Sequence, residues 1–175
     1  MSWRADPLTW GEGPRAFEMF LAPAYPSSCR ALGKIDAFLR VAGTQRETVK
    51  IRLHSQPWHM LSRIVTRCVV AASTLKEGKA AARRVLDAVA AHREDFEFED
   101  QARGPDMDAT PHQIVARLES YGGVKLAEAF AIFDSEKKVK WHARYARRNG
   151  VHVTPTFMID GLVCPEIGNG DSPAD

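Results

Sequence analysis

The sequence predicts a single α/β domain, a small sheet layered with helices, and three observations carry that prediction. An apolar stretch, "AFEMFLA" at residues 16 to 22, is followed by a helical pattern and then by the alternating stretch "TVKIRLHS", the strand, helix, strand order that builds a parallel pair. Helical spacing then persists from residue 58 to residue 149. The chain finally returns to two short strands in "VTPTFMIDGLVCP", joined at Asp160-Gly161, a residue pair suited to a tight hairpin. With 175 residues, 45% of them hydrophobic, there is enough material for one well-buried core and too little for two. One domain over residues 1–175 follows.

Taken in order, residues 1 to 14 hold Pro7, Gly11, Gly13 and Pro14 without periodicity, which predicts a lead-in arm with Trp3 or Trp10 tucked onto the surface. After the first strand, Ser27 or Ser28 is placed to cap a helix, and Leu32, Ile35, Phe38 and Leu39 keep helical spacing until Gly43 stops it. In the second strand Val49, Ile51 and Leu53 point inward while Lys50 and Arg52 point outward. Apolar positions 61, 64, 65, 68, 69 and 72, then 81, 85, 86, 89 and 90, predict two helices. Thr110 and Pro111 open another through Leu118, a short helix follows around 125 to 132, and a basic one runs from 134 to 149 until Gly150 ends it.

Charge and cysteine usage narrow the function classes. Twenty-four basic against 22 acidic side chains leave a formal +2, far from the excess that a phosphate-tracking protein needs, so nucleic acid is not an expected partner. Arg4, Asp6, Glu12 and Arg15 interrupt the first residues, which predicts neither a signal peptide nor a membrane span and hence a cytoplasmic protein. Cys29, Cys68 and Cys164 form no C-x-x-C pair, in keeping with a reducing compartment. The histidines at 54, 59, 92, 112, 142 and 152 show no metal spacing and are expected as ordinary surface or core residues, with His59 part of a helix start. Glu94, Asp95, Glu97, Glu99 and Asp100 lack the glycine and alternating ligands of a calcium loop, which predicts a solvated acidic loop and no metal. Lys137, Lys138, Lys140, Arg144, Arg147 and Arg148 predict a hydrated helix face, with an acidic ligand as the alternative.

Two separated stretches carry the chemistry. "FLAPAYPSSCRAL", residues 20 to 32, runs a strand through a proline turn into a helix, and "HVTPTFMIDG", residues 152 to 161, puts Pro155 at the start of an apolar strand. Together they resemble the thioredoxin-like superfamily, and the helical stretch that begins at "RLHSQPWH" resembles the branch of the bacterial disulfide oxidase DsbA and its cytosolic relatives. The resemblance spans roughly residues 16 to 165. It implies a thioredoxin-like α/β fold with residues 58–149 as a helical insertion between the second strand and the C-terminal hairpin, and a cis peptide before Pro155. A final helix after the hairpin is also implied, and the chain reaches Asp175 before it, so an open sheet face and a homodimer are expectations.

In that family a Cys-Pro-x-Cys turn stands at the N-terminus of the first helix, where unpaired N–H groups favour a thiolate. Setting Pro26 on the family proline puts Tyr25 on the nucleophile and Ser28 on the resolving thiol, so neither position holds sulfur and a dithiol cycle is excluded. A one-residue slip would make Pro26, Ser27, Ser28 and Cys29 the motif and still leave a single thiol. Cys29 is expected to be a small buried helix residue, the alternative being partial thiolate character. The resemblance therefore implies a redox-inactive binding or repurposed protein, without cofactor, holding a peptide or a small thiol ligand. Backbone groups of Val153 and Thr154 beside Pro155 would take an extended peptide as an added strand, and Tyr25 would pack over Pro155. The rival is a glutathione-dependent transferase or isomerase, similar to the kappa class, using a hydroxyl of Tyr25, Ser27 or Ser28.

Overall fold

The computed structural model describes residues 5, 7–56, 59–97, 105–132 and 134–173. Strands β1 (Thr9–Gly11), β2 (Arg15–Leu21), β3 (Glu47–Leu53), β4 (Thr156–Ile159) and β5 (Leu162–Val163) form one mixed sheet in the spatial order β1-β3-β2-β4-β5. β2 and β3 run parallel, Phe17 beside Val49 and Leu21 beside Leu53, and the other pairings are antiparallel. The parallel pair needs a crossover, and helices α1 (Pro26–Leu32) and α2 (Ile35–Ala42) provide it. Between β3 and β4 come α3 (Ser62–Ala72), α4 (Lys79–Ala91), α5 (Pro111–Gly122), α6 (Ala127–Ala131) and α7 (Asp134–Arg148). No strand interrupts the described residues of that span. Residues 57 and 58, Trp3, and the acidic positions 99 and 100 lie outside the described residues.

Three expectations are corrected. Residues 9 to 11 are a strand, not part of an arm: three residues are too few to show alternation, and the ladder to the edge of β3 holds them in place. Gly11 makes that approach possible, since its φ is +84° and a Cβ there would lie 2.2 Å from the Glu47 carbonyl oxygen. The Trp10 ring is half-buried in this strand against the core. The single helix expected from Ser27 to Gly43 is also two helices, broken at Gly33 and Lys34, where the Gly33 N–H reaches the Cys29 carbonyl and Lys34 reaches Ala31. Residues 93 to 96, expected as loop, wind into a 3-10 turn that buries Phe96.

Alternation along the strands assigns side chains to two faces. Met19, Leu21, Val49, Ile51, Leu53 and Phe157 join Leu32, Ile35 and Leu39 of α1 and α2 in the main core, which continues into α3, α4 and α5. On the opposite face Phe20 and Met158 pack with Ala146 and Val151, so α7 lies there. A polar cluster fixes α7: Glu18, 4% exposed, is ion-paired with Arg52 and accepts the Tyr145 hydroxyl at 2.9 Å. The Arg52 guanidinium also lies over the Tyr145 and Trp141 rings. His142, 3% exposed, accepts the Leu53 N–H through Nδ1 at 3.3 Å. Burial drives its pKa down to about 3, with Lys138 and Arg52 acting in the same direction.

Residues 164–173 fold back over the face expected to be open. Arg30 Nε donates to Asn169 Oδ1 at 2.8 Å, Lys34 Nζ donates to the Asn169 carbonyl at 2.7 Å, and Ile167 packs on the core. With Phe17, Phe38 and Phe157 this segment encloses a groove of about 440 Å³, so the chain itself covers part of that face.

Candidate functional site

Strand β2 ends at Leu21, and Ala22, Pro23 and Ala24 turn the chain into α1, with the Tyr25 N–H on the Ala22 carbonyl at 3.0 Å. Tyr25 is the N-cap in extended conformation, with φ −76° and ψ 130°, and Pro26 takes the first helical position, where its missing N–H costs nothing. The cap is therefore Tyr25, which makes no side-chain cap bond, and not Ser27 or Ser28 as expected. Proline at the first helical position decides the boundary ahead of the serine preference.

The three residues that follow Pro26 point their polar atoms to different places. Ser27 Oγ accepts from the Arg30 guanidinium at 2.9 Å at the surface. Ser28 is 1% exposed and its Oγ accepts the Ala22 N–H at 3.1 Å, tying the helix to the end of β2. Cys29, in the next position, donates Sγ–H to the Pro23 carbonyl at 3.2 Å. Burial pushes the Cys29 thiol up to about 11; Arg93 opposes that rise, Glu97 adds to it, and Arg30 and the backbone N–H oppose it more weakly. Glu97 is ion-paired with Arg93, yet burial still raises its carboxyl above the usual range.

The second stretch arrives through β4. The Thr154–Pro155 peptide is cis, and the Thr156 hydroxyl donates to the Val153 carbonyl at 2.8 Å. Val153 is 65% exposed. A cleft of about 110 Å³ is lined by Tyr25, Val153 and Thr154 with Gln56 and His59. The structure thus brings Tyr25 to the segment before Pro155, while Ser27, Ser28 and Cys29 line none of this cleft. The Tyr25 ring meets the His59 ring at 5.8 Å, tilted by 55°.

Gln56 and His59 are the residues that sequence reasoning missed. Gln56 is buried, donates Nε2–H to Thr154 Oγ1 at 3.4 Å, and receives order from Ser62, whose Oγ accepts the Gln56 N–H at 3.3 Å. His59 donates its backbone N–H to the Gln56 carbonyl at 3.1 Å, and both residues line the cleft. The only sequence signal was their position at the strand-to-helix junction after β3. Among the described residues no group of three or more histidine, cysteine or acidic side chains is arranged to hold a metal.

No protein-family model matches the chain, and no curated protein matches it. Solved structures do. A crystal structure from Pseudomonas syringae, assigned as a protein-disulfide isomerase, is 56% identical, superposes with a TM-score of 0.95, and the match covers 97% of this chain and 94% of that one. A thioredoxin-like oxidoreductase from Silicibacter pomeroyi matches with a TM-score of 0.68 at 16% identity, over 94% of this chain and 87% of its own. DsbA2 of Pseudomonas aeruginosa matches with a TM-score of 0.65 at 18% identity, over 98% and 91%. The last two share the fold; with the first, and with the β2-to-α1 turn facing the Thr154–Pro155 segment, the chain belongs to the DsbA-type branch of the thioredoxin-like superfamily.

Proposed function

We propose that this protein has kept the peptide-holding half of a disulfide-oxidoreductase site, has lost the dithiol half, and works as a redox-inactive binding protein. The observation that carries the reading is the fate of the helix's first turn. Where a dithiol would sit, Tyr25 offers a phenol and Ser28 a hydroxyl oxygen committed to Ala22. The one nearby thiol, Cys29, is directed at Pro23 and is raised to about 11, which leaves it protonated at neutral pH. A protonated lone thiol neither attacks a disulfide at a useful rate nor resolves a mixed one. The exposed Val153, which lines the cleft with Thr154 just before Pro155, supports the binding half, since this is where an extended peptide would be laid as an added strand. Three unpaired thiols support a reducing, cytosolic setting for this function.

A second reading, a glutathione-dependent transferase or isomerase, is favoured by one observation: the Tyr25 side chain lines the cleft beside Thr154. Ser28 does not serve it, being buried and occupied. Calorimetric titration with glutathione and with a short extended peptide separates the two. Peptide binding without saturable glutathione binding supports the binding protein; saturable glutathione binding that is lost in Tyr25→Phe supports the transferase.

A further inference from the structure

Next to the Tyr25 cleft a wider groove, of about 740 Å³, runs between α7 and the turn that leads into α3. Its α7 wall is Lys137, Lys140, Arg144 and Arg147, all exposed and spaced three, four and three residues apart, hence one stripe along one helix face. Arg63 of α3 adds a fifth cation. Among the described lining residues the sole carboxylate is Glu136, and it is ion-paired with Arg63. Between the cations Met60, 58% exposed, stands with half-buried Ala143 and buried Val139, beside Ser55, Gln56 and His59.

Arg144 and Arg147 suit the C-terminal end of α7, whereas Lys137 near its N-terminal end does not. Like charges at i,i+3 and i,i+4 repel, and the chain as a whole carries only +2, so the stripe concentrates in one concavity a charge that the composition does not require. The opposite face of the helix is already committed to Phe20, Glu18 and Arg52. Gln56 and His59 line both the groove and the Tyr25 cleft, so the two adjoin.

We propose that the groove is a second binding subsite that takes an acidic, partly apolar peptide segment, its carboxylates on the α7 stripe and its apolar side chains on Met60 and Ala143. The inference rests on the peptide-holding reading above. Mixed cationic and apolar lining suits such a segment better than a phosphate backbone, which needs charge without the apolar floor.

The test uses the full chain and three labelled peptides of one length, in which glutamate, glutamine or lysine alternates with leucine, read by fluorescence anisotropy. The glutamate peptide is expected to bind about tenfold tighter than the glutamine peptide at low salt, with the preference fading as ionic strength rises. Lys140→Glu with Arg144→Glu should remove the preference and leave glutamine-peptide binding intact; Lys140→Gln with Arg144→Gln, folded by circular dichroism, serves if the reversal unfolds the helix. Equal affinity for the glutamate and glutamine peptides overturns the groove proposal and leaves the peptide-holding reading standing. A preference that survives both double variants, or a single-stranded RNA that outcompetes the glutamate peptide, also overturns it. Absence of binding for all three peptides contradicts both.

Discussion

The Ser28 hydroxyl oxygen accepts the backbone N–H of Ala22 at 3.1 Å inside the protein, so the third residue of α1 is a clamp on the end of β2. Removing it leaves a buried N–H without a partner, which costs about 1–3 kcal/mol. Ser28→Ala is therefore expected to lower stability by that amount in urea unfolding. Ser27→Ala, whose hydroxyl binds Arg30 at the surface, should stay close to wild type.

Cys29 gives a chemical version of the same point. With its thiol raised to about 11, the thiolate fraction at pH 8 falls on the order of 100-fold below that of an unperturbed cysteine. Peptide mapping after brief iodoacetamide treatment at pH 8 should show Cys29 alkylated far more slowly in the native protein than in the urea-unfolded chain. Comparable rates in the two states would contradict the half-buried, Pro23-bonded geometry, in which Cys29 is less enclosed than the buried residue the sequence predicts.

His142 sets a pH dependence with a definite sign. Its folded pKa is lowered to about 3 from an ordinary value near 6.5, so the unfolded chain binds the proton that the native state refuses. The stabilising effect of a neutral His142 is complete above the ordinary value and is lost as pH falls toward 3, at no more than about 1.4 kcal/mol per pH unit. His142→Gln should flatten the stability profile between those limits, measured as the difference from wild type so that carboxylates common to both cancel. The gap between the two profiles should narrow or reverse as the pH falls.

Much of the fold was legible because β2, β3 and the long helices announce themselves by period: Val49, Ile51 and Leu53 alternate, and Val65, Cys68, Val69 and Ala72 recur at helical spacing. β1 was not legible because three residues carry no period and their order comes from the β3 edge. Of the candidate site, Tyr25, Val153 and Thr154 were found in sequence and do line one cleft. That Ser28 points inward was hidden, since a serine in a first helical turn reads equally as a cap, and Gln56 and His59 are held by a backbone bond to each other and by the Ser62 hydroxyl, which no local pattern announces.

The Glu18 cluster on the α7 face is the polar element that packing alone does not explain. Glu18→Ala removes the partner of both Arg52 and the Tyr145 hydroxyl and is expected to cost about 3–5 kcal/mol. Tyr145→Phe, which keeps the ion pair and the ring under Arg52, should cost about 1 kcal/mol. Denaturant melts of the two variants check the ordering.

The redox-inactive reading is tested most directly by insulin reduction in the presence of dithiothreitol, run side by side on the wild-type protein and Cys29→Ser. With Tyr25 and Ser28 in the two motif positions and Cys29 protonated against Pro23, both proteins should match the uncatalysed background. Wild-type turnover above that background which disappears in Cys29→Ser would contradict the account and make Cys29 a working thiol.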